Sequence, residues 1–154
     1  MKLNKTMTWC LLTSLIVTCP VMATEAQYDE QLAQKLGADE YGMKMYVMAL
    51  LKSGPNRPED VDRARALQQA HMENIKRLAS EKVLVLAGPF GANDADLRGI
   101  YVFDVQTIEE ARTLTESDPA IQAGSLVMEL IPWYGSAALM QVNELSLKLA
   151  KKSF

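Results

Sequence analysis

The chain has one histidine in 154 residues, His71, which opens the stretch "HMENIKRLASEKVLVLAGPF", a helical pattern running into an apolar strand and a Gly-Pro stop. Histidine, with an ordinary pKa of about 6.5, can give or take a proton under mild conditions. Asp118, in "SDPAIQAG", is a carboxylate able to orient or charge an imidazole. Each residue also has a structural reading. A lone histidine on an apolar helix face is often a hydrogen-bonded core residue, and an aspartate before proline has the spacing of a helix N-cap, with Pro119 at the first helical position. One carboxylate fills both roles only if a lone pair stays free.

Other chemistries are poorly supplied. There is no second histidine, Cys10 and Cys19 lie near the N-terminus, and Asp94 and Asp96 in "ANDAD" lack the spacing of a calcium loop, so no metal site is expected. The glycines form no phosphate-cradling run, and no serine–histidine pairing is recognisable. The nine methionines, several of them in the N-terminal segment and first strand, read as core filling rather than a cofactor box.

The elements that must position His71 and Asp118 follow from periodicity. Tyr28, Leu32 and Leu36, four apart and followed by Gly37, predict a short helix. Met45 to Leu51 is unbroken apolar sequence, as for a strand covered on both faces. "SGPNRPED" then turns the chain, with Pro58, Glu59 and Asp60 suited to a first helical turn. In the helix that follows, Val61, Ala64, Leu67, His71, Ile75 and Leu78 form one stripe, which points His71 toward the sheet. "KVLVLAGPF" is a second strand stopped by Gly88 and Pro89, "GANDADLRG" a loop, and "GIYVFDV" a third strand. Thr107 and Glu110 form a capping box opening a second helix, "DPAIQAG" interrupts it, and "SLVMELIPW" is the fourth strand.

Strand, helix, strand therefore occurs twice. That order predicts an α+β, ferredoxin-like fold, a split βαβ repeat with a four-stranded antiparallel sheet. Two helices cover one sheet face, yet the first and second strands are apolar on both. An amphipathic helix from Ser136 to Lys152, with Leu139, Val142, Leu145 and Leu149 on one side, is expected to cover part of the other face, and a second subunit the rest.

The first 23 residues, with Lys2 and Lys5 before an apolar run and Val21-Met22-Ala23 after it, have the order of a secretory signal peptide. The run is short of the roughly 20 residues that span a bilayer, which disfavours a retained anchor. Cys19, between Thr18 and Pro20, lacks the small preceding residue of a lipoprotein signal. The layout expected is a signal over 1–23, an extension over 24–42, the main domain over 43–134 and a C-terminal helix over 135–154. Cleavage would leave a periplasmic or secreted chain with no cysteine and no stable membrane insertion. It would also take the formal charge from −3 to −5, which argues against a nucleic-acid partner.

"AHMENIKRLASEKVLVLAGPF" followed by "ESDPAIQAGSLVMELIPW" resembles the YciI-related, or YCII-domain, family across about Met43 to Trp133. The resemblance implies a ferredoxin-like homodimer whose sheets pack into an α/β barrel. It also implies that His71 and Asp118 match the family's active-site pair, with Ala87, Gly88 and Pro89 at the strand end beside them. Gly88, Pro89, Phe90 and Arg98 are then the candidate ligand contacts. Acid-base elimination such as dehydrochlorination has been associated with the family. The expectation is a cofactor-independent lyase, hydrolase or isomerase acting on an unknown small molecule through the His-Asp pair. The alternative is a noncatalytic periplasmic binding or accessory protein using the same cleft. Mass spectrometry of the exported protein should find a chain beginning at Thr24 or, second, Gln27; an intact chain from Met1 would contradict export.

Overall fold

The computed structural model describes residues 27–152, so the expected signal segment and its cleavage positions lie outside the described residues. Helix α1 spans Glu30–Leu36, and β1, Met43–Ser53, leads into α2, Val61–Ser80. Strands β2, Leu84–Pro89, and β3, Leu97–Phe103, follow. Then come α3, Ile108–Glu116, the short α4, Pro119–Gln122, and β4, Leu126–Ser136. A 3₁₀ turn, Ala137–Gln141, and α5, Val142–Leu149, close the chain. The sheet order is β2-β3-β1-β4 with all pairings antiparallel, the ferredoxin-like arrangement. Among the described residues no helix is long and apolar enough to cross a membrane.

The unbroken apolar run of β1 has its cause in this order, because β1 is central and both its faces are used. Val47, Ala49 and Leu51 point to the helices, where they meet Leu78 of α2, Ala111 of α3, and Tyr101 and Phe103 of β3. Tyr46 points the other way and forms a second cluster with Val85 and Val102. Burial of these side chains, at roughly 1.5–3 kcal/mol each for the large ones, is the main stabilising term.

Local signals act as the sequence implies at most helix ends. Gly37 ends α1 in the left-handed region at φ 69°. The Thr107–Glu110 capping box opens α3. At α2 the start is later than expected: Asp60 is the N-cap, its carboxylate accepting from Arg63 N at 2.7 Å, and Pro58 lies in the preceding turn. The first turns of α2 also stand clear of the sheet, leaving Val61 68% exposed, and His71, Asn74 and Leu78 are the buried positions.

The C-terminal segment departs further from expectation. The expected single helix from Ser136 is instead the end of β4, a 3₁₀ turn and a two-turn α5, because the β1 ladder continues to the Met43–Ser136 pair and keeps that backbone extended. Leu139 and Met140 of the turn do cover the far sheet face beside Trp133, whereas Leu145 and Leu149 remain exposed. Asn143 Nδ2 donates at 2.8 Å to the carbonyl of Leu84 on the edge strand β2. At the opposite edge, β4 carries Pro132, paired with Val47.

Two turns at one end of the sheet are zipped together. Gly54 N donates to Ser125 O at 2.9 Å and Asn56 N to Gly124 O at 3.0 Å. A Cβ on Gly54 would stand 2.2 Å from Gly124 O, a backbone atom with no slack. Gly54→Ala should therefore lower stability by about 1–3 kcal/mol in denaturant unfolding, the scale of overpacking; an unchanged midpoint would show that the turns separate freely.

Candidate active site

Asp118 resolves its two readings by using one oxygen for each. The α3 pattern ends at Ser117 because Pro119 restarts the chain as α4, and Asp118 is the N-cap: its Oδ1 accepts from Ala120 N at 2.8 Å. Its Oδ2 stands 2.7 Å from His71 Nδ1. The aspartate is 1% exposed and the histidine 7%. A buried carboxylate needs its oxygens bonded, and here cap and imidazole supply that need. Six residues further along α2, Arg77 Nη2 donates to Asn74 Oδ1 at 2.8 Å and to Ser117 Oγ at 2.9 Å, clamping α2 to the α3–α4 joint. Asn74 Nδ2 is buried with no acceptor among the described residues.

With Asp118 accepting at Nδ1, the imidazole proton is held there and the Nε2 lone pair faces away from the carboxylate. Nε2 lies 3.3 Å from the Tyr101 hydroxyl, and the two rings are near parallel with centroids 6.2 Å apart. Burial, and secondarily the charge of Asp118, raises the Tyr101 pKa, so the hydroxyl stays protonated and donates. At 3.3 Å the bond is long for a hydroxyl donor, and a ligand atom competes readily for either partner.

His71 and Tyr101 line a cavity of about 540 Å³. Leu51, Met72, Ile75 and Leu126 make its apolar wall, and Ala87, Gly88, Pro89 and Gly99 the end of the sheet. A Cβ on Gly99 would come within 2.8 Å of Gly88 O, so glycine is what lets β2 and β3 close there. Of the candidate contacts, Gly88, Pro89 and Arg98 line the cavity with His71. Phe90 does not: Pro89 pairs with Gly99 on the helix side, and the alternation of the strand carries the next ring to the other side, where it is 40% exposed.

Tyr101 and Arg57 also line the cavity without having been singled out in the sequence. For Tyr101 a signal existed, a polar tip inside the apolar run "GIYVFDV". Arg57, in the turn "SGPNRPED", carried none, since turns are placed by tertiary contacts. A wider hollow of about 790 Å³ lies on the other side of Arg57, lined by exposed Glu59 and Arg63 among others and by no buried titratable group. Among the described residues no three side chains of metal-ligating type come together.

The sequence profile of the YCII-related domain matches residues 45–134, more than half of the chain. The chain belongs to the YCII-related domain family. Uncharacterised protein YjpA of Bacillus subtilis (strain 168) is 36% identical over 63 residues, which are 41% of this chain and 71% of that protein. Among solved structures, 5-chloro-2-hydroxyhydroquinone dehydrochlorinase of Burkholderia phenoliruptrix AC1100, in complex with 2,5-dihydroxybenzoquinone, aligns with a TM-score of 0.41 at 19% identity, covering 56% of this chain and 92% of that one. The stretch matched by the YCII-related domain profile holds the whole His71–Asp118–Tyr101 cluster.

Chemically, this YCII-related domain presents one nitrogen able to take a proton, a carboxylate that fixes its tautomer, and a hydroxyl donor beside it. The single histidine makes this measurable. Nitrogen-detected NMR of the ring should show the proton on Nδ1, and in Asp118→Asn, where the amide becomes a donor toward Nδ1, the proton should move to Nε2. Asp118→Asn, itself a good cap, should keep most stability, while Asp118→Ala should lose about 1 kcal/mol for the cap and about 1–3 kcal/mol more for the unpaired buried N–H. Equal stability of the two variants in denaturant unfolding would remove the capping role.

Proposed function

We propose that this YCII-related domain is a cofactor-independent acid–base enzyme for a small organic molecule, of lyase, hydrolase or isomerase type. His71 Nε2 is the proton carrier, Asp118 its positioning partner and Tyr101 a hydroxyl donor. One observation carries the reading: the His71–Asp118 pair lies in the wall of a cavity, with His71 Nε2 held only by the long 3.3 Å contact to Tyr101 instead of being packed away. A histidine kept only for the core would have both nitrogens bonded at ordinary distance. Dehydrochlorination, the activity named for the Burkholderia protein, is one elimination that such a base would serve.

All three reaction types share abstraction or delivery of a proton, which can be read before the substrate is known. A panel of small carbon acids incubated in heavy water should include at least one whose C–H exchanges faster with the protein present. His71→Ala and Asp118→Asn should each slow that exchange by roughly 10²-fold or more, and the double variant by little beyond the worse single one. Exchange unaffected by His71→Ala would end the proposal, and ligand binding without exchange in the parent would replace it with the binding-protein reading.

The assembly proposed with this function is a homodimer through the far sheet face. Support comes from what that face leaves open: Ile131 and Val127 of β4 are 37% and 43% exposed beyond the reach of Leu139 and Met140, and an apolar sheet face without cover is unusual in a monomer. Light scattering should give twice the chain mass at micromolar concentration, and Ile131→Glu should halve it. A monomeric parent would refute the dimer. Export to the periplasm or medium completes the proposal, supported by the order of the first 23 residues and by the absence of cysteine from residue 20 onward.

A further inference from the structure

The cavity lined by His71 also has two exposed arginines in its lining, Arg57 and Arg98, and no carboxylate, Asp118 lying behind the imidazole outside the lining. Both arginines converge on one neutral acceptor. Arg57 Nη1 donates to Ser53 Oγ at 3.1 Å and Arg98 Nε donates to it at 2.7 Å. The acid beside them is Asp96, 3.5 Å from Arg98 Nη2 and 71% exposed, an open pair that solvent screens. Arg57 has no carboxylate at ion-pair distance among the described residues. Two like charges drawn together on a hydroxyl leave a positive end that a ligand can neutralise.

The backbone places this cluster. Leu51 pairs with Gly99 but Lys52 pairs with Leu97, so Arg98 is the extra residue of a β-bulge. Regular alternation would send Arg98 to the far face with Ile100; the bulge turns it to the helix side, where Ser53 also points. Arg57 arrives from the β1–α2 turn, held by the Gly54 and Asn56 bonds to the turn after α4. The Ser53 oxygen has two lone pairs, both taken by the arginines, so its own hydrogen is left to donate.

The geometry points to recognition of a small organic carboxylate: Arg57, Arg98 and the Ser53 hydroxyl hold its anionic end, and its apolar body lies along Leu51 and Leu126 toward His71 Nε2. A planar fork suits a carboxylate, which two guanidiniums and a hydroxyl can engage at once. Gly99, next to Arg98, is two residues from Tyr101 on β3, about 7 Å along the strand, so the arginines and the imidazole flank one stretch of the same cavity. The reacting end of this assignment rests on the acid–base reading of His71; the binding end does not.

Benzoate, benzamide and inorganic phosphate, titrated separately into the full chain, test it through the ring resonances of the single histidine. Benzoate should shift them saturably, benzamide of the same shape but no charge should bind roughly tenfold or more weakly, and added salt should weaken benzoate alone. Arg57→Gln and Arg98→Gln should each weaken benzoate by roughly tenfold, the loss of a charge-assisted bond, and leave benzamide unchanged. His71→Ala, followed by the Gly99 amide, should still bind benzoate. Benzoate and benzamide binding alike, no benzoate response at millimolar concentration, phosphate binding as tightly as benzoate, or arginine variants equal to the parent would each overturn the carboxylate assignment while leaving proton exchange by His71 untouched. Carboxylate binding as described, with exchange indifferent to His71→Ala, would instead sink the acid–base reading alone.

Discussion

A carboxylate almost wholly withdrawn from water is the constraint around which this domain is arranged. Asp118 is 1% exposed, and an uncompensated charge there would cost several kcal/mol. Its two oxygens are bonded to groups from different elements, the first amide turn of α4 and the ring of His71 in α2. The bonds thereby fix where α2 lies over the sheet, where α4 begins, and which edge of the imidazole meets the cavity. Because α4 ends in the Gly124 turn that holds Gly54 and Asn56, the same constraint extends to the loop carrying Arg57. One acid links three segments that are far apart in the chain.

The electrostatic layout follows from that burial. The negative charge is behind the imidazole and the positive charges are in the cavity wall, so a ligand meets the histidine through its neutral side and the arginines directly. Tyr101 lies between these regions on β3, its pKa raised by burial and by Asp118. It therefore remains a protonated donor beside the imidazole. Burial strengthens the His71, Asp118 and Tyr101 contacts relative to the same contacts in water, whereas Arg57 and Arg98 are exposed.

The sheet was legible because its signals are local or periodic. The unbroken apolar run of β1 implied a strand covered on both faces, the capping box implied the start of α3, and two strand-helix-strand passages implied the ferredoxin-like antiparallel sheet. The His71–Asp118 pair was legible as residue types at helix positions, and the resemblance joined them. Arg98 was named but its direction was not derivable, since it depends on a bulge that exists only when β3 meets β1. Ser53 and Arg57 were silent for the same reason: their roles are set by contacts across the chain. The C-terminal stripe misled because Leu139, Val142, Leu145 and Leu149 fit a helix, while pairing of Ser136 with Met43 claimed the first of that backbone for the sheet.

The side chain of Asn143 on the Leu84 carbonyl also bears on how this sheet can meet other molecules. Edge strands invite further strands, and with them unplanned polymerisation. Here the β2 edge has one carbonyl occupied by Asn143 and ends in Pro89, which offers no N–H, while the outer edge of β4 is interrupted at Pro132. Sideways extension of the ladder is obstructed at both margins. Any association is left to the broad faces, where side-chain shape rather than backbone pairing would select the companion, and the short C-terminal appendage obstructs strand addition at the β2 edge.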